Sequence, residues 1–170
     1  TTFRPPYTPV TMGLIAGAGA KDAGAHIRRL ALYDLHAAKN PIWQPLGYWF
    51  RPRAYPMGGE TLAQAALREA KAVRTQVGMT DVSTLAKFEI SGPDAAAFLE
   101  IICATTVSKL AVGRGRYTFM LREDGVVFDD GTVWRLDENR YLLTSSTGGA
   151  DRMATHISYV RQVLCPQMRV

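Results

Sequence analysis

The stretch from Gly115 to Gly131 constrains the fold of this chain more than any other. Two apolar runs, Arg116–Leu121 and Val126–Phe128, flank Glu123-Asp124-Gly125, and an Asp-Gly pair between alternating apolar residues is a strong hairpin signal. Two adjacent carboxylates, Asp129 and Asp130, then meet Gly131. Side chains alternate along a strand, so one acid faces inward when the other faces outward. Asp-Asp-Gly is also good turn chemistry, which leaves a plain cap as the competing reading. An inward acid beside Tyr117, Phe119, Met120 and Phe128 would have its charged form disfavoured by desolvation. That is how proton-handling groups are tuned, and it makes the pair the first candidate for chemistry.

The flanking segments predict an α+β fold, an antiparallel sheet flanked by helices. Residues 1–24 are rich in proline, glycine and alanine and read as an extended connector from a preceding domain; residues 25–170 read as the folded part. A first helix is expected over Ala25–Asn40, ended by Asn40-Pro41. The aromatic stretch Trp43–Pro56 fits short strands and loops. Thr61-Leu-Ala-Gln64 is a capping box, followed by the stripe Leu62, Ala66, Ala70, Val73, Val77, which predicts a helix with that stripe in the core. Met79–Val82 and Lys87–Ile90 read as strands. Pro93 opens a helix through Cys103 that buries Ala97, Phe98, Ile101 and Ile102. Thr132–Leu136 and Tyr141–Ser145 complete a meander, and Ala150–Leu164 forms the last helix.

Several function classes are disfavoured. The formal charge of +5 over 170 residues comes from scattered arginines, with no run that marks nucleic acid. Cys103 and Cys165 lack a CxxC spacing or a nearby histidine, so a zinc site is not expected. No apolar run approaches the roughly 18 residues of a membrane span, and no signal-peptide layout opens the chain, so the cytoplasm is the expected compartment. The start at Thr1-Thr2 points to a processed or excised product. His26, His36 and His156 lie far apart and no nucleophile elbow is present. His36 is as well suited to anchoring the first helix as to catalysis. No phosphate-binding glycine motif follows a strand.

The blocks Gly78-Met-Thr-Asp-Val-Ser-Thr-Leu-Ala-Lys-Phe88, Ile90-Ser-Gly-Pro-Asp94, Arg116-Tyr-Thr-Phe-Met120 and Asp124-Gly-Val-Val-Phe-Asp-Asp130 occur in order. Together they resemble the glycine-cleavage T-protein family of aminomethyltransferases, which bind tetrahydrofolate. The Phe-Asp-Asp-Gly131 ending, the Thr144-Ser-Ser-Thr-Gly-Gly149 run and the leading Phe3-Arg-Pro-Pro-Tyr-Thr-Pro9 resemble one branch of it. That branch is the folate-binding C-terminal region of the α subunit of heterotetrameric sarcosine oxidases.

The resemblance implies the N-terminal part of a T-protein-like folate-binding domain, with Asp130 as the catalytic acid facing into the fold and Asp129 as its outward neighbour. Tyr117 would line the pterin pocket, and Leu85, where T-proteins usually carry methionine, would pack on the folate. Ser145 would stand where they often carry asparagine. Both departures favour the oxidase branch over transfer from a lipoyl carrier. A flavin elsewhere in the parent complex would oxidise sarcosine, and tetrahydrofolate would capture the one-carbon unit here as 5,10-methylene-tetrahydrofolate. Flavin and NAD would stay with other regions, and the partners would be the remaining subunits and the rest of the α subunit. The mild positive charge suits a polyglutamate tail. Two alternatives stay open, a true aminomethyltransferase and a non-catalytic assembly module. With further folate contacts expected outside these residues, the chain alone should lack turnover.

Overall fold

A computed structural model describes residue 15 and residues 28–170. The expected connector and the start of the expected first helix lie outside the described residues, Ile15 apart. The rest is α+β, with two sheets rather than one. The small sheet joins β1 (Arg28–Arg29), β2 (Ile42–Leu46) and β3 (Trp49–Ala54) in the order β1-β3-β2. The main sheet joins β4 (Ala86–Ser91), β5 (Gly115–Leu121), β6 (Val127–Asp137) and β7 (Arg140–Ser145) in the order β4-β7-β6-β5, all pairs antiparallel.

The helices are α1 (Tyr33–Ala37), α2 (Leu62–Thr75), α3 (Ala95–Ile102) and α4 (Ala150–Tyr159), the last running into a π-turn over Val160–Leu164. The core lies on one face of the main sheet. Ala95, Phe98, Leu99 and Ile102 of α3, spaced to share one face, pack with Met120, Val133, Tyr141, Leu143, Met153 and Val160. Truncating Phe98, which is fully buried, would remove about 3–5 kcal/mol of stability. The opposite face stays open, with Tyr117, Phe119 and Trp134 each more than 40 % exposed.

Several expectations change. The first helix shrinks to α1, because Arg28 and Arg29 instead pair in parallel with Trp49 and Phe50 of β3. Their guanidiniums lie over the rings of Trp49 and Tyr33. The capping box at Thr61 forms as expected, with Thr61 Oγ accepting from Gln64 N–H and Gln64 reaching back. Yet α2 docks by its polar side: Arg68 donates to Glu60 and to the Tyr55 carbonyl, and Tyr55 N–H donates to Glu69. Its apolar stripe faces outward, with Val73 59 % and Val77 86 % exposed. Met79–Val82 forms no strand. In α3, which starts at Ala95 rather than Pro93, Ala95 and Leu99 take the buried places expected of Ala97 and Ile101. Finally, Val126–Phe128 and Thr132–Leu136 merge into the single long strand β6. The two aspartates therefore sit inside a strand, not at its end.

Candidate functional site

The Asp124-Gly125 turn closes as the sequence requires, with Gly125 at φ +78° and Arg122 N–H bonded to the Val126 carbonyl. It feeds β6 back along β5, with Phe119 opposite Asp130 and Tyr117 opposite Thr132. One irregularity interrupts this register: Leu121 pairs with Val127 while Met120 pairs with Asp129, so Phe128 is an extra residue. The insertion settles which acid faces which way, and the outcome reverses the expectation. Asp129 is the buried one, 8 % exposed, and Asp130 lies on the open face.

On that open face the Tyr117 hydroxyl donates to Asp130 Oδ2 at 2.6 Å. Bonding to the carboxylate holds the Tyr117 phenol above its ordinary range, with desolvation and the carboxylate charge adding to it. Phe119 meets Tyr117 edge to face, centroids 5.5 Å apart. Beside them the Thr132 and Thr144 hydroxyls bond at 2.9 Å, and the Trp134 indole N–H donates to Thr132. Gly131 makes this packing possible, since a Cβ there would lie 1.9 Å from the Thr144 carbonyl oxygen. The result is an aromatic surface carrying one carboxylate with a fixed phenol partner. Such a surface can stack a flat ring and set a proton acceptor or a negative charge beside it.

Asp129 has a different environment. Its Oδ1 accepts from the Asp130 and Ser146 amides at 2.8 and 3.4 Å, and its Oδ2 from the Ser146 hydroxyl at 3.0 Å. Gly149, immediately before α4, leaves room for it; a Cβ there would lie 1.9 Å from Oδ2. The hydrogen bonds satisfy the buried carboxylate and tie β6 to the 146–149 loop. The sequence offered the Gly148-Gly149 pair as the only hint of this cradle.

Of the four residues singled out from the sequence, Tyr117 and Asp130 are brought into direct contact. Leu85 is half-buried at the entrance to β4, in a turn where its N–H donates to the Val82 carbonyl. Ser145 lies on the core side of β7, 1 % exposed and opposite Ala86, and among the described residues its Oγ has no hydrogen-bond partner. It shares no face with Asp130. Thr84 and Thr147 hydroxyls, buried and 2.9 Å apart, lash the Leu85 turn to the 146–149 loop. His36, read as anchor or catalyst, is buried; its Nδ1 meets the Tyr55 hydroxyl at 2.5 Å and its Nε2 meets Asp81 Oδ2 at 2.9 Å. Burial pushes the Asp81 carboxyl up, but hydrogen bonds from Ser83 and His36 outweigh this and leave it below the usual range.

Among the described residues no group of three His, Cys, Asp or Glu could hold a metal ion, and no helix is long and apolar enough to cross a membrane. Both cysteines are free and buried, and burial pushes the Cys103 thiol up to about 12 against a hydrogen bond with Thr118.

Residues 32–169 match the model of the GCVT N-terminal domain. The whole chain is 42% identical to the sarcosine oxidase subunit alpha of Corynebacterium sp. (strain U-96), and to that of Rhizobium meliloti (strain 1021) at the same level. It spans 18% and 17% of those two relatives. An aminomethyltransferase of Symbiobacterium thermophilum is 34% identical over 80% of the chain, which covers 34% of that relative. The crystal structure of the glycine cleavage system aminomethyltransferase T from Bartonella henselae superposes with a TM-score of 0.70 at 26% identity. It covers 79% of this chain and 35% of its own. The chain belongs to the family of the GCVT N-terminal domain.

Proposed function

We propose that the open face of the main sheet is the tetrahydrofolate-binding surface of a sarcosine oxidase α subunit, where the one-carbon unit from oxidised sarcosine is captured as 5,10-methylene-tetrahydrofolate. One observation carries this reading: the Tyr117–Asp130 hydrogen bond, set among aromatic side chains on a sheet face that the described residues leave exposed. A folate supplies the ring to stack and the two nitrogens that take up the carbon. Forming two C–N bonds at those nitrogens breaks their two N–H bonds and the C=N bond of the oxidised sarcosine, whose nitrogen departs with the two protons as glycine, and the transferred carbon passes through positive charge on the way. Asp130 is the carboxylate that would stand against that charge and relay a proton from the folate nitrogen to the departing amine. Tyr117 fixes its orientation and lies edge-on to Phe119, which with Trp134 offers the pterin a wall.

The exposure of Asp130 means that geometry, rather than burial by this chain, qualifies it. Docking a folate over the face would itself exclude water and strengthen the electrostatics. Leu85 would add an apolar contact from the end of β4. Ser145, on the core face, would act through the β7 backbone rather than by touching ligand.

In the intact protein that carries this chain, Asp130→Ala should leave sarcosine oxidation running while methylene-tetrahydrofolate formation falls about 10²- to 10⁴-fold, with formaldehyde released instead. Oxidation and folate-dependent product are measured on the same sample. Unchanged folate-dependent product would remove Asp130 from the mechanism.

A further inference from the structure

The segment that enters β4 belongs to no regular element, yet polar bonds fix it from several sides. Asp81 is bonded to buried His36 and accepts from the Ser83 amide, the Thr84 hydroxyl meets that of Thr147, and Leu85 N–H donates to the Val82 carbonyl. The carbonyls of the turn converge on one side chain. Lys87 Nζ donates to the Leu85 carbonyl at 2.8 Å, to Val82 at 3.2 Å and to Ser83 at 3.3 Å, which commits all three of its N–H groups. A surface lysine ordinarily leaves its ammonium in water, since ordering the stem costs rotamer entropy. Glu89 stands two residues on, on the same face of β4, but its cation partner is Arg140 at 4.0 Å. Among the described residues Lys87 has no carboxylate partner, so its charge is given to backbone.

The face that carries Lys87 is the one that carries Tyr117 and Asp130. Lys87 lies opposite Thr144 on β7, the Thr144 hydroxyl bonds that of Thr132 on β6, and Thr132 lies opposite Tyr117 on β5. These four residues form one row across the open face. With strands about 4.8 Å apart the row spans about 14 Å, and the turn borders the face at the edge away from Tyr117. Ala86, opposite Ser145, is the first paired residue of β4, so Leu85 lies just outside the ladder and depends on the bonds of the turn. We propose that Lys87 is a positioning residue of the open face: it gathers the three turn carbonyls and so holds Leu85 at the edge where a ligand stacked on the face meets it. That this ligand is a folate rests on the function proposed above; the hold of Lys87 on the turn does not. An ammonium suits the task, because hydrogen bonds from a charged donor are roughly twice as strong as neutral ones. Leu85 offers an apolar contact, and Asp130 lies two strands away on β6. Such a contact binds substrate and transition state alike, so its loss enters through KM rather than kcat.

The test uses the intact protein with Lys87→Met, which keeps the stem and removes the donors, and Lys87→Arg, which keeps a charged donor. Amide hydrogen exchange reads the turn itself. Exchange over residues 82–86 about tenfold or more faster in Lys87→Met, with residues 88–91 unchanged and the turn restored in Lys87→Arg, supports the hold on the turn. Exchange there at the wild-type rate in Lys87→Met overturns it. Steady-state kinetics read the consequence. A KM for tetrahydrofolate raised about tenfold in Lys87→Met at unchanged kcat, and recovered in Lys87→Arg, supports the positioning role. An unchanged KM, or a loss confined to kcat, overturns that role and leaves the folate surface standing. If the unsubstituted protein has no affinity for tetrahydrofolate while Lys87→Met still loosens the turn, the folate surface fails instead and the hold of Lys87 on the turn stands.

Discussion

Gly131→Ala should disable the site without touching a functional group. The backbone at Gly131 is not in the left-handed region, so alanine meets no conformational penalty there. The obstacle is space: the new Cβ would lie 1.9 Å from the Thr144 carbonyl oxygen, whereas real Cβ contacts essentially never fall below 3.0 Å. Strands β6 and β7 must therefore separate by about 1.1 Å at this point, the difference between those two distances. The obstacle is backbone on the neighbouring strand, so no side-chain rotation relieves it. Because β6 lies between β7 and β5, a shift of that size away from β7 presses Asp130 toward Tyr117 of β5, already 2.6 Å away, and forces the pair out of its hydrogen-bond geometry. Overpacking of this kind costs about 1–3 kcal/mol. Misplacing a catalytic group by 1 Å costs about 10²-fold in rate. Gly125→Ala is the control, since Gly125 has φ +78° but nothing within 4 Å, so it bears only the left-handed penalty of about 1–2 kcal/mol. The assay is thermal melting of the intact protein together with folate-dependent product formation. Gly131→Ala should lose both stability and product, and Gly125→Ala stability alone. A Gly131→Ala protein with wild-type melting and wild-type product would refute the close approach of β6 and β7 and the dependence of Asp130 on it.

Other outcomes follow from the same geometry. Asp81 has a carboxyl held below its ordinary range, so its contribution to stability is complete above about pH 4 and lost as the pH falls through the lowered value. Asp81→Asn should flatten that acid limb of a stability-against-pH curve while sparing the region above it; an unaltered limb would mean the His36 bridge contributes nothing. Phe98→Ala should cost about 3–5 kcal/mol in chemical denaturation, because a fully buried ring leaves a cavity under the sheet; a loss below about 1 kcal/mol would show that the core re-forms around it. With its thiol pushed up to about 12, Cys103 should resist alkylation at pH 8 in the native protein and react only on unfolding; fast native labelling would contradict its burial.

What could be read from the sequence, and what could not, divides by range. The Asp124-Gly125 turn and the Thr61–Gln64 capping box are local devices whose partners lie within four residues, and both form as their residues require. The stripe on α2 is different. Its periodicity does specify a helix, but which side of that helix the fold covers depends on Tyr55 and Glu60 outside it, which engage Arg68 and Glu69. Periodicity measures amphipathicity and is silent about which neighbour arrives. The Tyr55–His36–Asp81 bridge joins residues 19 and 45 positions apart, so no local pattern could announce it.

The acid pair shows how one residue can carry this uncertainty into a functional assignment. Reading Phe128 as inward, the strict alternation of a strand puts Asp130 inward with it. In the fold Phe128 is the bulged residue, and the strand resumes with opposite parity: Val127 is 56 % exposed, yet Asp129, two positions on, is only 8 % exposed. A bulge arises from the partner strand and from what the turned side chain finds, here the Ser146 hydroxyl and amide and the space left by Gly149. The bulge therefore exchanges the roles desolvation would have given the two acids. Asp129 receives the burial and spends it on holding β6 to the 146–149 loop, and Asp130 is delivered, with Tyr117, to the face where a ligand can reach it. An Asp129→Asn substitution separates these roles, since an amide keeps one acceptor but cannot receive all three donors. It should lower the melting temperature and weaken product formation, yet keep the Tyr117–Asp130 pair and residual folate affinity, whereas Asp130→Asn should cut product about 10²- to 10⁴-fold with the melting temperature intact. If the two variants gave the same pattern, the buried acid would have to be counted with the catalytic one, and the separation of structure from chemistry across this strand would fail.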